Sequence, residues 1–259
     1  MTTHVTLECV ERIGYLTFTP EIPYKPPTLD YAVLDELEQH CKIIHTADQP
    51  LDAVVVQSGS PKYFVVGANL QALQKIDHVS IVEWVKRGHE VFNQLEDLPL
   101  PVIAKITGYV LGGGLELALA CDFILCSEQA QFGLPETGLG FIPGWGGSRR
   151  LPLRVGEARA KELIFTGKII PAAEAYRIGL VNFVGTDADL DIYLTTTLHD
   201  IRKNSRLANS LVKNMLKHSL TADRQSNCDE ESRVSQTCLA SGDTQERLKA
   251  FFQKRGKAS

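Results

Sequence analysis

Between residues 108 and 151 the chain carries two glycine-rich segments in quick succession, each with a glutamate among apolar residues. The first runs Gly108-Tyr-Val-Leu-Gly112-Gly113-Gly114-Leu-Glu116-Leu-Ala-Leu-Ala-Cys-Asp122. Three consecutive glycines ahead of a Leu/Ala run predict a helix whose first turn is bare main chain. With no Cβ in the way, its amides approach a ligand closely, and the helix dipole adds positive potential there. Such a place suits an oxygen that gains negative charge during a reaction. Glu116 follows one turn later, where a carboxylate is costly unless it is paired or used chemically.

The second segment runs from Phe132 through Pro135-Glu136-Thr-Gly138-Leu-Gly140-Phe-Ile-Pro143-Gly144-Trp145-Gly146-Gly147-Ser148-Arg149-Arg150-Leu151. Glu136 opens a glycine-rich loop. Two carboxylates in apolar surroundings can hold one water between them while taking opposite protonation roles, which acid/base addition to a double bond requires. The glycine order fits neither a dinucleotide site, which wants G-x-G-x-x-G after a strand, nor a P-loop, which wants G-K-S/T. On the residues alone, two bland alternatives stay open: glycine triplets also make turns, and an apolar-flanked glutamate is about as often a salt-bridged core residue as a catalyst.

Around these segments strands and helices alternate. Val5 to Val10 and Ile13 to Thr19 read as two strands joined at Glu11 and Arg12, and the proline-rich stretch Pro20 to Pro27 as loop. Apolar positions Val33, Leu37, Cys41 and Ile44 mark an amphipathic helix over Leu29 to His45. Ala53 to Val56 reads as a buried strand, and Ile81, Val85, Phe92 and Leu95 share one helix face. Strands at Pro101 to Ile106, Phe123 to Cys126 and Leu180 to Val184, with helices at Gly112 to Ala120, Glu157 to Phe165 and Pro171 to Ile178, complete an α/β pattern. Beyond about residue 187 strand signals stop, and Leu190 to Ser219 and Cys228 to Arg255 read as helices only.

Composition narrows the function classes. Among 259 residues, 27 Lys+Arg against 31 Asp+Glu give a net charge of −4, which argues against a surface built to neutralise nucleic-acid phosphates. No apolar run reaches the roughly 18 residues of a membrane span, and the N-terminus resembles neither a signal nor a transit peptide. A cytoplasmic protein without membrane or nucleic-acid partners is expected. Six cysteines make no C-x-x-C pair and read as packed, reduced thiols, and the seven histidines have no metal-ligand spacing, so no metal site is expected. Arg149 and Arg150 could meet a phosphate, but read first as a solvated helix start or a subunit salt bridge.

The two glycine-rich motifs, with Tyr63-Phe-Val-Val-Gly67-Ala68-Asn69 upstream and Ala250-Phe251-Phe-Gln-Lys254-Arg255 downstream, resemble the enoyl-CoA hydratase/isomerase (crotonase) family. The resemblance is dense from about 52 to 184. It implies an α/β fold, a crotonase-like spiral of ββα units, with a core over residues 1–195 holding the acyl-CoA site. Residues 196–259 would form a C-terminal helical trimerisation region, assembling a homotrimer or a dimer of trimers.

The resemblance further implies an oxyanion hole made by the amides of Ala68 and Gly113, with Glu116 and Glu136 as the catalytic pair. Water would add syn across trans-2-enoyl-CoA to give 3-hydroxyacyl-CoA, or leave in reverse, with no cofactor beyond the coenzyme A of the substrate. Val66, Gly67 and Leu29 fall among its substrate-binding positions, Val65 and Val66 offering main-chain groups to the adenine. Trp145 is expected to narrow the acyl pocket, and Phe251 to close a neighbouring subunit's acyl site. Asn69 stands where the family usually has Asp, and Gln71 near where a basic residue often meets the CoA phosphate. The competing activities are double-bond isomerisation, a pathway-specific acyl-CoA dehydration, and non-catalytic acyl-CoA binding on the same fold.

Overall fold

The chain opens as a β-hairpin in which β1 (Thr3–Val10) and β2 (Ile13–Pro20) pair antiparallel, from Thr3 opposite Pro20 to Val10 opposite Ile13. The computed structural model describes residues 2–47 and 50–256, the last three of these by main chain only, so the Lys254 and Arg255 side chains of the terminal motif lie outside the described residues. Both residues of the hairpin turn are left-handed, Glu11 at φ 46° and Arg12 at φ 67°. Asp52 holds the turn: its Oδ1 accepts from Arg12 Nη2 at 2.7 Å, and its N–H donates to the Arg12 carbonyl at 2.8 Å.

Seven further strands follow among the described residues: β3 (Ala53–Ser58), β4 (Val102–Ile106), β5 (Tyr109–Leu111), β6 (Phe123–Ser127), β7 (Gln131–Gly133), β8 (Ile170–Pro171) and β9 (Phe183–Gly185). They form a six-stranded sheet of order β1-β2-β3-β4-β6-β9, parallel from β2 onward, and a three-stranded sheet of order β5-β7-β8. Ala53, Val54, Val55 and Val56 are all buried, as an inner parallel strand covered on both faces should be. The last strand of the large sheet is shorter than its apolar run predicts. Gly179 turns at φ 78°, and Leu180 and Val181 pack into the core as connecting chain before pairing begins at Phe183.

α1 (Tyr31–Thr46) starts at Asp30, whose side chain accepts from the Val33 amide, and buries Val33, Leu34, Leu37, Cys41 and Ile44. The short α2 (Leu70–Leu73) and the longer α3 (Ile81–Glu96) come next. α3 packs on α1, with Arg87 bonded to Asp35 and Glu38 across the contact. α4 (Gly113–Leu119), α5 (Gly147–Val155), α6 (Glu157–Thr166) and α7 (Ala172–Arg177) complete the part around the small sheet.

Contacts divide the chain into two compact units, one up to Leu198 and one from His199 onward, the division falling inside α8 (Asp187–Lys203). Among the described residues, the two long helices expected beyond residue 190 are four. Ser205 caps α9 (Arg206–Ser219), Asp223 caps α10 (Arg224–Ala240), and α11 (Gly242–Gly256) follows Ser241. Short polar side chains that satisfy first-turn amides thus break what periodicity alone reads as continuous. Of the six cysteines, Cys41, Cys121 and Cys126 are buried, whereas Cys9 and Cys228 are exposed, against the expectation of general packing. Among the described residues no helix is long and apolar enough to cross a membrane.

Candidate active site

The glycine triplet works first as a packing device. A Cβ on Gly114 would lie 1.9 Å from the Val65 carbonyl oxygen, so only glycine lets the start of α4 rest on that stretch of main chain. The stretch itself pairs with β5: Tyr109 N donates to Lys62 O at 3.0 Å, Phe64 N to Tyr109 O at 2.9 Å, and Leu111 N to Val65 O at 3.1 Å. The loop leaving Val65 therefore emerges beside the loop that starts α4.

Leu29 sets the direction of that first loop. Its N–H donates to Gly67 O at 2.9 Å and its carbonyl accepts from Asn69 N at 2.7 Å, a parallel bridge that brackets Ala68. In such a bridge the bracketed residue turns its own N–H to the other side of the ribbon. Gly67, at φ 97°, comes so near the second loop that a Cβ there would lie 3.4 Å from Gly113 N. Neither the Ala68 nor the Gly113 amide donates to a main-chain acceptor among the described residues. Asn69 then closes the loop: its Oδ1 accepts from Gln71 N and Ala72 N, capping α2 with a neutral oxygen.

Glu116 is 2% exposed on α4, and its Oε1 accepts from Trp145 N at 2.7 Å and Gly147 N at 2.8 Å. Burial pushes its carboxyl up to about 7, with the Glu136 charge adding to the rise; the two amides and Arg150 act in the opposite sense. Glu136 sits on a 3₁₀ turn, Pro135–Leu139, tied to α6 through Thr137 Oγ1 donating to Ile164 O. It reaches over the second loop: a Cβ on Gly112 would lie 3.0 Å from Glu136 Oε1. Glu136 Oε2 is buried with no partner among the described residues, and burial raises this carboxyl as well. A buried acceptor left without a donor costs on the order of 1–3 kcal/mol unless something else supplies the bond.

Four further expected site residues are Trp145, Leu29, Val66 and Phe251, and the structure gives each its surroundings. The Trp145 indole does not stand at an open wall. It is 3% exposed, donates from Nε1 to Trp84 O at 3.2 Å, and packs on Trp84 and Phe92. It lies behind Gly113, where a Cβ would fall 2.9 Å from Cε3 and Cζ3 of the indole, and it reaches Glu116 through its main-chain amide. The Leu29 side chain is fully buried, so that residue braces the Ala68 loop. The Val66 N–H is taken by Pro27 O at 3.0 Å, which leaves only its carbonyl for an adenine. Phe251 stacks edge-on with Phe252 on α11, in the second compact unit.

The sequence reading puts Arg150 with Arg149 at a solvated helix start or a subunit salt bridge, and the structure corrects this for Arg150. Rather than solvated, it is 5% exposed and bonded to Glu96, Asn93 and Trp145 O. The available signal was its place in the first turn of a short helix just after the glycines, where its long side chain can fold back over them.

Fold and site together bring two main-chain amides from adjacent loops beside two carboxyls, the buried Glu116 and the half-buried Glu136, both raised by burial within an α/β core. The model of the family described as enoyl-CoA hydratase/isomerase matches residues 13–258. The chain is 36% identical to a crotonyl-CoA hydratase of Syntrophomonas wolfei over 208 residues, 80% of each protein. It is 35% identical to a short-chain-enoyl-CoA hydratase of Clostridium acetobutylicum, covering 88% of this chain and 84% of that one. The crystal structure of an enoyl-CoA hydratase from Bacillus anthracis superposes with a TM-score of 0.91 at 32% identity, over 97% of this chain and 96% of the other. The chain belongs to the enoyl-CoA hydratase/isomerase family and has its crotonase fold.

Proposed function

We propose that the chain hydrates trans-2-enoyl-CoA thioesters, adding water syn across C2–C3 to give the 3-hydroxyacyl-CoA, and runs the reverse dehydration. The observation that carries this is the pair Glu116, buried, and Glu136, half-buried with its Oε2 enclosed, both raised by burial beside the amides of Ala68 and Gly113. Carboxylates so placed share a proton as a coupled pair, and hydration needs one proton-bearing and one proton-free partner. The thioester oxygen accepts from the Ala68 and Gly113 amides. Water bonds to C3 through its oxygen and gives its proton to the ionised glutamate, while C2 takes a proton from the other. Negative charge gathered on the thioester oxygen is stabilised by the two amides, each worth roughly 3 kcal/mol.

Val66 and Gly67 line the thioester's approach in this reading, and the polyanionic coenzyme is held by local dipoles, since a net charge of −4 offers no attractive field. A homotrimer or dimer of trimers, placed in the cytoplasm, goes with it. Supporting assembly, α9 to α11 expose Val212, Leu216, Leu239 and Phe252 while burying only Val234 among their described residues. Phe251 would then meet a neighbouring subunit's acyl group.

Loss of the conjugated enoyl-thioester absorbance when the protein is added to crotonyl-CoA tests the reading. No loss with crotonyl-CoA or longer 2-enoyl-CoA overturns it, and a gain of that absorbance from a 3-enoyl-CoA alone marks an isomerase.

A further inference from the structure

We infer that Arg150 is a positioning residue for Glu116: it fixes the peptides that hold the Glu116 carboxylate and supplies the cation that balances its charge. The inference rests on the hydratase reading above. Nη1 of Arg150 donates to Trp145 O at 3.0 Å. That carbonyl belongs to the peptide lying between the two whose amides, Trp145 N and Gly147 N, donate to Glu116 Oε1. The guanidinium folds back so tightly that a Cβ on Gly146 would fall 2.1 Å from Nη1. Its other face is gripped from α3: Nε and Nη2 donate to Glu96 Oε2 at 2.9 and 2.7 Å, and Nη2 to Asn93 Oδ1 at 2.6 Å. A continuous path thus runs from α3 through Arg150 and the 145–147 peptides to Glu116.

An arginine this buried is rare unless paired, and an apolar side chain would serve a purely structural role as well. The charged groups acting on Glu116 are few. Glu136 opposes its ionisation and Arg150 favours it. Burial, with the same guanidinium second, holds the imidazole of His89 on α3 below its usual proton affinity and so toward the neutral form. Glu96 partly neutralises Arg150 from the far side, and the half-exposed Arg149 stands 3.9 Å from Glu96.

Two charge changes of opposite sign separate this role from general loosening. The readout is the titration of the Glu116 carboxyl carbon by NMR, assigned with Glu116→Gln, which needs no turnover. Arg150→Met should raise the midpoint by about one pH unit, the scale of losing one nearby opposite charge. Glu96→Gln leaves the guanidinium less neutralised and should lower it by about half a unit. Arg150→Lys should bring the midpoint most of the way back while lacking the fork that holds Trp145 O and Asn93. Its kcat for crotonyl-CoA should then fall about tenfold with KM within about twofold.

Midpoints that stay put, or that move in the same direction for Arg150→Met and Glu96→Gln, overturn the inference. Where Arg150→Met fails to fold, the Glu96→Gln shift decides alone. If the unaltered protein does not hydrate crotonyl-CoA, the hydratase reading falls, while the titration still decides the part played by Arg150.

Discussion

A Cβ placed on Gly88 would fall 2.2 Å from Cδ1 and Nε1 of Trp145, so the indole lies directly on the main chain of α3 at that glycine. On its other side the same ring backs Gly113. An indole is rigid and bicyclic, so added volume at Gly88 moves it as a body. Gly88→Ala should gain about 1 kcal/mol of helix propensity and lose roughly 1–3 kcal/mol to overpacking. The net expectation is destabilisation, read as a lower urea midpoint, with kcat also reduced because the ring is driven toward Gly113. A higher midpoint would show that the indole yields freely.

Glu136 keeps a buried oxygen without a donor among the described residues, and Glu136→Gln removes the carboxylate with little change of shape. Hydration of crotonyl-CoA should fall on the order of 100-fold or more, the scale of losing general acid–base catalysis. Thermal unfolding should change little or move upward, since a neutral amide is cheaper to bury than a carboxylate. Activity within a few-fold of the parent would remove Glu136 from the catalytic pair.

How far these features were legible in the sequence depended on whether a side-chain pattern carried them. α1, α3, β3 and the β1–β2 hairpin showed through periodicity or alternation. β5, β7 and β8 have only 3, 3 and 2 residues, too few for any period, so the small sheet under the site stayed hidden. Glu116 stood out as a charge in an apolar run. The bracketing of Ala68 by Leu29 did not, because main-chain amides leave no mark on composition and the two are joined only by folding. Trp145 misled for a related reason: an aromatic beside glycines reads as a pocket wall until Gly88, remote in sequence, is known to lie against it.

Both residues of the β1–β2 turn are non-glycine and left-handed, a conformation that disfavours a Cβ by roughly 1–2 kcal/mol per residue. Glu11→Gly should therefore stabilise the protein by about 0.5 kcal/mol, the gain being reduced by the larger entropy of the unfolded chain. Arg12→Gly relieves the same strain but loses the bond to Asp52 Oδ1, so it should gain less or destabilise. Calorimetry on the two variants checks the order; equal upward shifts in Tm would mean the Arg12–Asp52 pair contributes nothing.

The Glu116 carboxyl is raised in the folded protein to about 7, against 4.5 for the unfolded group. Between these values the folded state binds the proton more tightly than the unfolded one, so stability from this group falls as pH rises through the window. Below about 4.5 the penalty is absent; above about 7 it is complete, on the order of 3 kcal/mol for a group this deeply buried. Glu116→Gln keeps an oxygen to accept from the Trp145 and Gly147 amides but carries no charge at any pH. The variant should therefore gain stability relative to the parent as pH increases from 5 to 8. Urea unfolding of both proteins across that range measures the difference. A gap that stays constant with pH would mean that Glu116 ionises as easily in the folded protein as in water, and the shared-proton pair would lose its basis.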